Sequence, residues 1–389
     1  MDPHTFRELL SATGARALAD ATALEPTEAT FLACANKLRK GFSPELARAA
    51  LETVLLRTKA RAKFARADSM FFTREALEQA TAEPVARHRA ERLAPFGRVA
   101  DLCCGIGGDA LALATAGATV DAVDTDELRL AMCEANADAL GFAERVHRVL
   151  GDALAVPLSE ARAAFADPNR RAEGRRFLNP DEYAPPLRAL RARFAPDFPL
   201  AVKVAPGIAH ADIPRDAETE FVSLNGELKE CVLWFGAPRT HARRATVLPS
   251  GDALAGGVRE PCGIVPVGAV LIDPDPAVVR AELVPLLAEH TDARLIDEHV
   301  QLLTAGAVVR TPFARAFVVE CAEPFNVGRL REHFRARRVG RVTIIKRGSP
   351  ADADDVLKKL KLEGDGHRTL FLVRAAGAHT AIVCAPPEG

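Results

Sequence analysis

The chain has 389 residues, enough for two or three domains and a sizeable hydrophobic core. Its net charge of −1, with 26% charged residues, excludes a uniformly basic coat, so any contact with a polyanion has to come from local clustering. The eight cysteines form no C-x-x-C pair and no zinc-like spacing with histidine. The first residues carry no basic, apolar leader and no apolar run reaches spanning length, so the expectation is a reduced, soluble, cytoplasmic chain with no metal site and no membrane contact.

Residues 1–90 read as a helical region. Apolar residues recur at three- and four-residue spacing over 5–18, 26–40 and 43–67, and Ser43-Pro44-Glu45 supplies an N-cap followed by proline at the first helical position. The third of these helices ends in Arg57, Lys59, Arg61, Lys63 and Arg66, five cations in ten residues, which read either as a solvated face or as a stripe facing phosphates. Thr73 then has the look of an N-cap, with Phe71 and Phe72 before it as an apolar plug.

The most informative stretch runs from Val99 to Asp109, Val-Ala-Asp-Leu-Cys-Cys-Gly-Ile-Gly-Gly-Asp, and is followed by Ala122-Val123-Asp124. An apolar start, a carboxylate, a glycine-rich turn, a helical run and a second apolar stretch ending in a carboxylate describe strand, loop, helix, strand, half of a doubly wound nucleotide-binding sheet. Glycines let the backbone approach a ligand, and Asp124, about twenty residues past the turn, stands where a carboxylate takes both ribose hydroxyls of an adenosine. A dinucleotide site needs G-x-G-x-x-G, whereas here the spacing is G-x-G-G and Asp101 lies four residues before the first glycine. A carboxylate there repels a pyrophosphate and suits a cofactor bearing an ammonium and a sulfonium. The stretch resembles motif I and its following acidic residue in the class I S-adenosylmethionine-dependent methyltransferases. That resemblance implies Asp101, Cys103, Gly105, Gly107 and Asp124 as cofactor-binding residues. In RNA methyltransferases such as the trimethylguanosine synthases a similar aromatic-plus-threonine segment covers the methionine end of the cofactor, which adds Phe72 and Thr73.

Residues 128–140 read as a helix with Ala131, Ala135 and Ala139 on one small-residue face, and 146–150 as a strand ending in Gly151-Asp152. In class I enzymes a carboxylate at that strand end meets the adenine amino group, a role the resemblance gives to Asp152. Residues 164–171 carry the fourth strand and its loop, Asp167-Pro168-Asn169-Arg170-Arg171. Amino-directed nucleic-acid methyltransferases have Asn or Asp, Pro, Pro and an aromatic here. This chain keeps Asp167-Pro168 and replaces the ring by Asn169-Arg170-Arg171, which counts against a flipped base stacked at this loop. Asp167, Pro168 and Asn169 are the candidate catalytic residues, and Arg170 and Arg171 suit a phosphate or carboxylate of the substrate. Residues 200–208 read as the fifth strand, and 220–235 as a hairpin turning at Asn225-Gly226, with Glu220, Glu227 and Glu230 near the strand ends, expected at solvated edges with entry into the pocket as the alternative.

From Pro238 to Pro266 the chain is rich in Pro, Gly and Arg, a linker merging into strands. Beyond it strands and helices alternate in a smaller unit. Between Arg329 and Arg347 there are eight cations and one acid, Glu332, which read either as an RNA contact or as a solvated basic face, and the Lys346-Arg347 turn ahead of the helix expected from Ser349 reads as a phosphate site whose field Asp352, Asp354 and Asp355 weaken. Taken together the chain resembles bacterial class I methyltransferases with a THUMP-like C-terminal domain. The implied fold is α/β, with a helical region over 1–90, a Rossmann-like class I methyltransferase sheet over 91–238 and a THUMP-like α/β domain over 239–389. The implied cofactor is S-adenosylmethionine and the implied partner a structured RNA, tRNA or rRNA. A small-molecule or protein methyltransferase and a non-catalytic S-adenosylmethionine-binding module are the alternatives; oligomeric state is left open.

Overall fold

The computed structural model describes residues 1–172 and 175–386, which group into two compact units. The first comprises Met1–Glu218 and Glu230–Thr240. It opens with helices α1 (Pro3–Leu9), α2 (Ala12–Ala23), α3 (Phe31–Leu38) and α4 (Pro44–Ala60), then α5 (Arg74–Gln79) and α6 (Glu83–Leu93). Strands β1 (Arg98–Leu102), β2 (Thr119–Asp124), β3 (Val146–Leu150) and β4 (Ala163–Ala166) alternate with α7 (Gly108–Thr115) and α8 (Glu127–Ala139). After the short pair β5 (Arg171–Ala172) and β6 (Arg175–Arg176) come α9 (Leu187–Arg193) and β7 (Leu200–Val204); of the hairpin that follows, β8 (Glu218–Leu224) belongs to the second unit from Thr219 on, and β9 (Glu227–Phe235) to the first from Glu230 on.

Local chemistry sets several boundaries. The apolar spacing predicts one helix over 5–18, but Ser11 accepts from the Gly14 N–H and starts a second one. Ser43 caps α4 as expected, and Asn225 and Gly226, at φ 53° and 76°, make the two-residue turn of the hairpin. The initial helices are not an appendage. Phe6, Leu51 and Phe72 share one buried cluster with Leu111 of α7, Met132 of α8 and Trp234 of β9.

Within this unit the strands lie in the order β9-β7-β4-β1-β2-β3, all parallel except β9, which runs antiparallel to β7. The connection order reverses between β1 and β4, so the loops after those two strands diverge and open a crevice at their carboxyl ends.

The second unit comprises Thr219–Lys229 and the chain from His241 onward. Its strands β10 (Arg243–Leu248) and β11 (Asp252–Gly256) extend from β8. A seven-stranded sheet follows, built from β12 (Val270–Pro274), β13 (Arg294–Asp297), β14 (Val300–Ala305), β15 (Ala314–Pro324), β16 (Val339–Arg347), β17 (Gly366–Ala375) and β18 (Ala378–Cys384), in the order β13-β14-β12-β15-β18-β17-β16. Helices α10 (Pro276–Arg280), α11 (Val284–His290), α12 (Val327–Ala336) and α13 (Ala353–Leu360) complete it. Along β17 the side chains alternate between two apolar clusters, Leu370 and Leu372 with α12 and α13, Phe371 and Val373 with Leu271 and Phe317. Among the described residues no helix is long and apolar enough to cross a membrane.

Candidate functional site

The crevice at the ends of β1 and β4 is a cleft of about 810 Å³ in the first unit. Its floor is the glycine turn. Cys103, Gly105 and Gly107 have φ of 71°, 57° and 88°, and a Cβ on Gly107 would stand 2.6 Å from Cys133 Sγ, so only glycine fits there. Gly105 lines the cleft, and a Cβ on it would meet nothing within 4 Å of protein. Asp124 braces the turn: one carboxylate oxygen accepts the Gly105 N–H at 2.8 Å and the other the Asp126 N–H at 2.9 Å. Asn136, fully buried on α8, ties the turn to the preceding segment by accepting from Phe71 N–H and donating to the Phe71 and Ile106 carbonyls. The small alanine face of α8, which is what the sequence makes conspicuous, gives no sign of this role.

Phe72 and Thr73, expected beside the cofactor, do not line the cleft. Phe72 is 2% exposed and its ring lies 5.7 Å from that of Phe64, while Thr73 caps α5 through the Ala76 N–H. Their segment reaches the cleft further along, at Ala76 and from Glu78 to Thr81. Asp152 lines it from the end of β3 and accepts the Leu154 N–H at 2.8 Å.

Beneath the floor the charges are unevenly matched. Arg89 of α6, 2% exposed, reaches both Asp109 at the start of α7 and Glu230 on β9, and lies 4.7 Å over the Phe165 ring. Glu230, expected at a solvated edge, is 1% exposed, and burial pushes its carboxyl up against the opposing pull of Arg89 and Lys203. Asp101 is 1% exposed, and among the described residues neither of its oxygens is hydrogen-bonded. Burial, then the neighbouring Asp109 and Asp167, hold its carboxyl well above the usual carboxylate range, with Arg89 acting the other way. Cys103 is also pushed up, by burial and by Asp124 and Asp101, so it is a thiol and a poor nucleophile. An orphaned buried carboxyl beside an open glycine turn fits a ligand that brings a positive charge and hydrogen-bond donors of its own.

The opposite wall is the loop after β4. Asp167 receives Lys203 Nζ of β7 at 2.6 Å, and the same ammonium donates to Thr81 Oγ1 at 2.8 Å. Asn169 exchanges backbone hydrogen bonds with Ala184, holding the loop against the chain before α9, and Pro168 and Arg170 line the cleft. The Arg171 side chain lies outside the described residues. Tyr183 is the aromatic residue among the described lining residues, buried to 2% with its hydroxyl accepting from Ala205 N–H and donating to the Leu178 carbonyl.

Two basic stretches resolve differently from expectation. In the first, Arg57 donates to the Met70 carbonyl, Lys59 pairs with Glu28 and Arg61 with Asp68, and Lys63 donates to the Leu77, Glu78 and Ala80 carbonyls, so Lys63 ties the chain after α4 to the segment at the cleft. In the second unit Arg347 is held 3.0 Å from Asp273, which also takes Arg315. Helix α13 is capped by Asp352 with Asp354 and Asp355 in its first turn, so the expected phosphate site at Lys346-Arg347 is not built on that helix end. Lys346 is exposed, as are Arg329, Arg335, Arg338 and Arg341. Among the described residues no group of three His, Cys, Asp or Glu forms a metal-holding cluster.

Comparison with known proteins agrees with this geometry. The family model of RNA cap guanine-N2 methyltransferases matches residues 96–173, a THUMP domain-like model matches 314–386, and a domain of unknown function matches 2–60. The chain superposes on the crystal structure of a candidate methyltransferase from Porphyromonas gingivalis W83 with a TM-score of 0.75 at 19% identity, covering 94% of this chain and 100% of the other, a likeness of fold. It is 35% identical over 358 residues to an uncharacterized S-adenosylmethionine-dependent methyltransferase of Mycobacterium tuberculosis, present in two strains, spanning 86% of this chain and 96% of that protein. With its glycine turn and its orphaned carboxyl suited to a cationic cofactor, the chain belongs to the S-adenosylmethionine-dependent methyltransferases.

Proposed function

We propose that this methyltransferase modifies a structured RNA, tRNA or rRNA. The observation that carries the reading is the extent of the RNA cap guanine-N2 methyltransferase match, residues 96–173, which takes in both the glycine turn and the loop at Asp167. In this reading Gly105 and Cys103 give the cofactor backbone to lie on, Asp101 meets its cationic end, Asp124 its ribose and Asp152 its adenine. The cofactor supplies a methyl group already activated as a sulfonium. The chain's own part is to hold the acceptor in line, exclude water and take away the acceptor's proton. Asp167 is the carboxylate for that proton, with Pro168 and Asn169 shaping the loop and Arg170 beside it for an adjoining phosphate. The exposed Arg329, Arg335, Arg338, Arg341 and Lys346 supply a phosphate-facing surface in the THUMP-like region.

The test is methyl transfer from radiolabelled S-adenosylmethionine into total RNA from cells lacking this gene, with protein and small-molecule fractions in parallel. Label confined to one RNA size class is the expected result. Label confined to another fraction refutes the RNA reading.

A further inference from the structure

A lysine in the middle of Leu200-Ala201-Val202-Lys203-Val204 is out of place by every packing criterion. The strand is central in its sheet, flanked by β4 and β9, and all five of its residues are buried, Lys203 at 5% exposure. Taking an ammonium and its carboxylate partner out of water is costly, and a buried ion pair replaced as a whole by apolar side chains of similar volume often loses no stability, so the pair is weak evidence of a stabilising role. What the lysine gains is specific. Its Nζ meets Asp167 Oδ2 at 2.6 Å and Thr81 Oγ1 at 2.8 Å, so one side chain joins the loop after β4 to the segment after α5, on two walls of the cleft. Asp167 keeps a quarter of its side chain exposed, and its Oδ1 makes no hydrogen bond among the described residues.

We infer that Lys203 is the positioning residue of methyl transfer: it clamps one oxygen of Asp167 so that the other stands ready for the hydrogen of an N–H or O–H acceptor. This rests on the reading of Asp167 given above. As the acceptor's bond to the methyl carbon forms, the carbon–sulfur bond breaks and its electron pair stays on sulfur, so the leaving group is a neutral thioether; the acceptor's proton goes to Asp167 Oδ1 and from there to solvent. An unclamped carboxylate rotates and spreads over several rotamers, whereas one pinned through Oδ2 presents Oδ1 in a fixed direction. The site therefore calls for a nucleophile that carries a hydrogen. A carbon acceptor activated by a cysteine adduct does not fit, because Cys103, the one cysteine of the turn with an exposed edge in the cleft, lies in the floor and is held as a thiol.

The test compares Lys203→Met, Lys203→Arg and Thr81→Val by three readouts: melting temperature, S-adenosylmethionine affinity by calorimetry, and kcat against KM on total RNA from the deletion strain. A positioning role predicts that Lys203→Met still folds cooperatively, melting lower by no more than the loss of its ion pair explains, and binds the cofactor within about twofold. Its kcat falls at least about 30-fold with KM little changed, Lys203→Arg recovers most of that loss, and Thr81→Val loses only a few-fold. Wild-type kcat in Lys203→Met, or a loss of kcat in it that is matched by its loss of cofactor affinity, overturns the proposal. Should wild-type enzyme label protein or small molecules and not RNA, the RNA reading fails and the same kcat comparison is made on the labelled fraction. Digestion of labelled RNA to nucleosides separates amine from hydroxyl acceptors, and label on a base carbon overturns the proposal.

Discussion

Asp101→Asn separates stability from cofactor binding. In the wild type the carboxyl is buried, unpartnered and surrounded by Asp109, Asp167 and Asp124, with Arg89 as the opposing cation, and its pKa is raised. In the unfolded chain the group titrates at about 3.9. Above that pH the unfolded state has released a proton that the folded state still holds, so stability falls as pH rises toward the folded pKa. Each unit of elevation removes about 1.4 kcal/mol. Asparagine keeps the shape and cannot ionise, so the variant without cofactor should melt higher at pH 8, by about 3–6 °C per unit of elevation in a domain of this size, and should equal the wild type near pH 4. Cofactor binding moves the other way: losing a charge-assisted hydrogen bond costs about 1.5–3 kcal/mol, roughly 10- to 150-fold in affinity. Calorimetry in two buffers of different ionisation enthalpy should show proton release when S-adenosylmethionine binds the wild type and none for Asp101→Asn. An unchanged or lower melting temperature at pH 8 together with wild-type affinity would refute the reasoning.

Three further outcomes follow from the same geometry. Gly107→Ala, forced to φ 88° against Cys133 Sγ at 2.6 Å, should lose about 2–4 kcal/mol of stability, while Gly105→Ala, with open space around its Cβ, should lose about 1 kcal/mol yet bind the cofactor poorly; denaturant titration and calorimetry distinguish them. Arg89→Met strands Glu230 and Asp109, and should destabilise the first unit by about 3–5 kcal/mol, with Arg89→Met/Glu230→Gln recovering part of it in a double-mutant cycle. Replacing Arg329, Arg335 and Arg338 by Gln should weaken RNA binding and flatten its salt dependence by about 0.7–0.9 in log–log slope for each phosphate no longer neutralised, with S-adenosylmethionine affinity unchanged.

What could be read from sequence was whatever depends on near neighbours. The turn from Asp101 to Gly108, the Ser43 cap and the Asn225-Gly226 turn each follow from a few adjacent residues with restricted φ, and each stands where expected. Pairings across long stretches of chain were invisible. Arg89 and Glu230 are 141 positions apart, and the alternation of β9 gives no sign that its Glu230 end lies over α6. Lys203 did leave a signal, a charge at a position whose neighbours on both sides are apolar, which is a better pointer to a site than the dense cations of 57–66. Four of them, Arg57, Lys59, Arg61 and Lys63, were absorbed by carbonyls and carboxylates, because a helix ending beside an irregular segment exposes acceptors that arginine and lysine can reach.

The charge balance of the cleft argues for the kind of ligand it takes. Asp109, Asp124, Asp152 and Asp167 line it and Asp101 and Glu230 lie just beneath. Among the described residues two buried cations answer them: Arg89 is committed to Asp109 and Glu230, and Lys203 to Asp167. Asp101 is left with no partner, and Asp124 and Asp152 are met by backbone N–H groups. At about 4 Å and an effective dielectric near 20, a further negative charge beside Asp124 or Asp152, the carboxylates with no cation of their own, is repelled by about 4 kcal/mol, and a positive one is attracted by as much. A pyrophosphate would meet that repulsion at the turn where a dinucleotide fold must cradle it, which is why the G-x-G-G spacing and Asp101 belong together. A cofactor with an ammonium and a sulfonium reverses the sign of the same terms. The imbalance of charge at the turn is then the source of its selectivity for a cationic cofactor, and a third buried cation beside Asp101 would remove that preference.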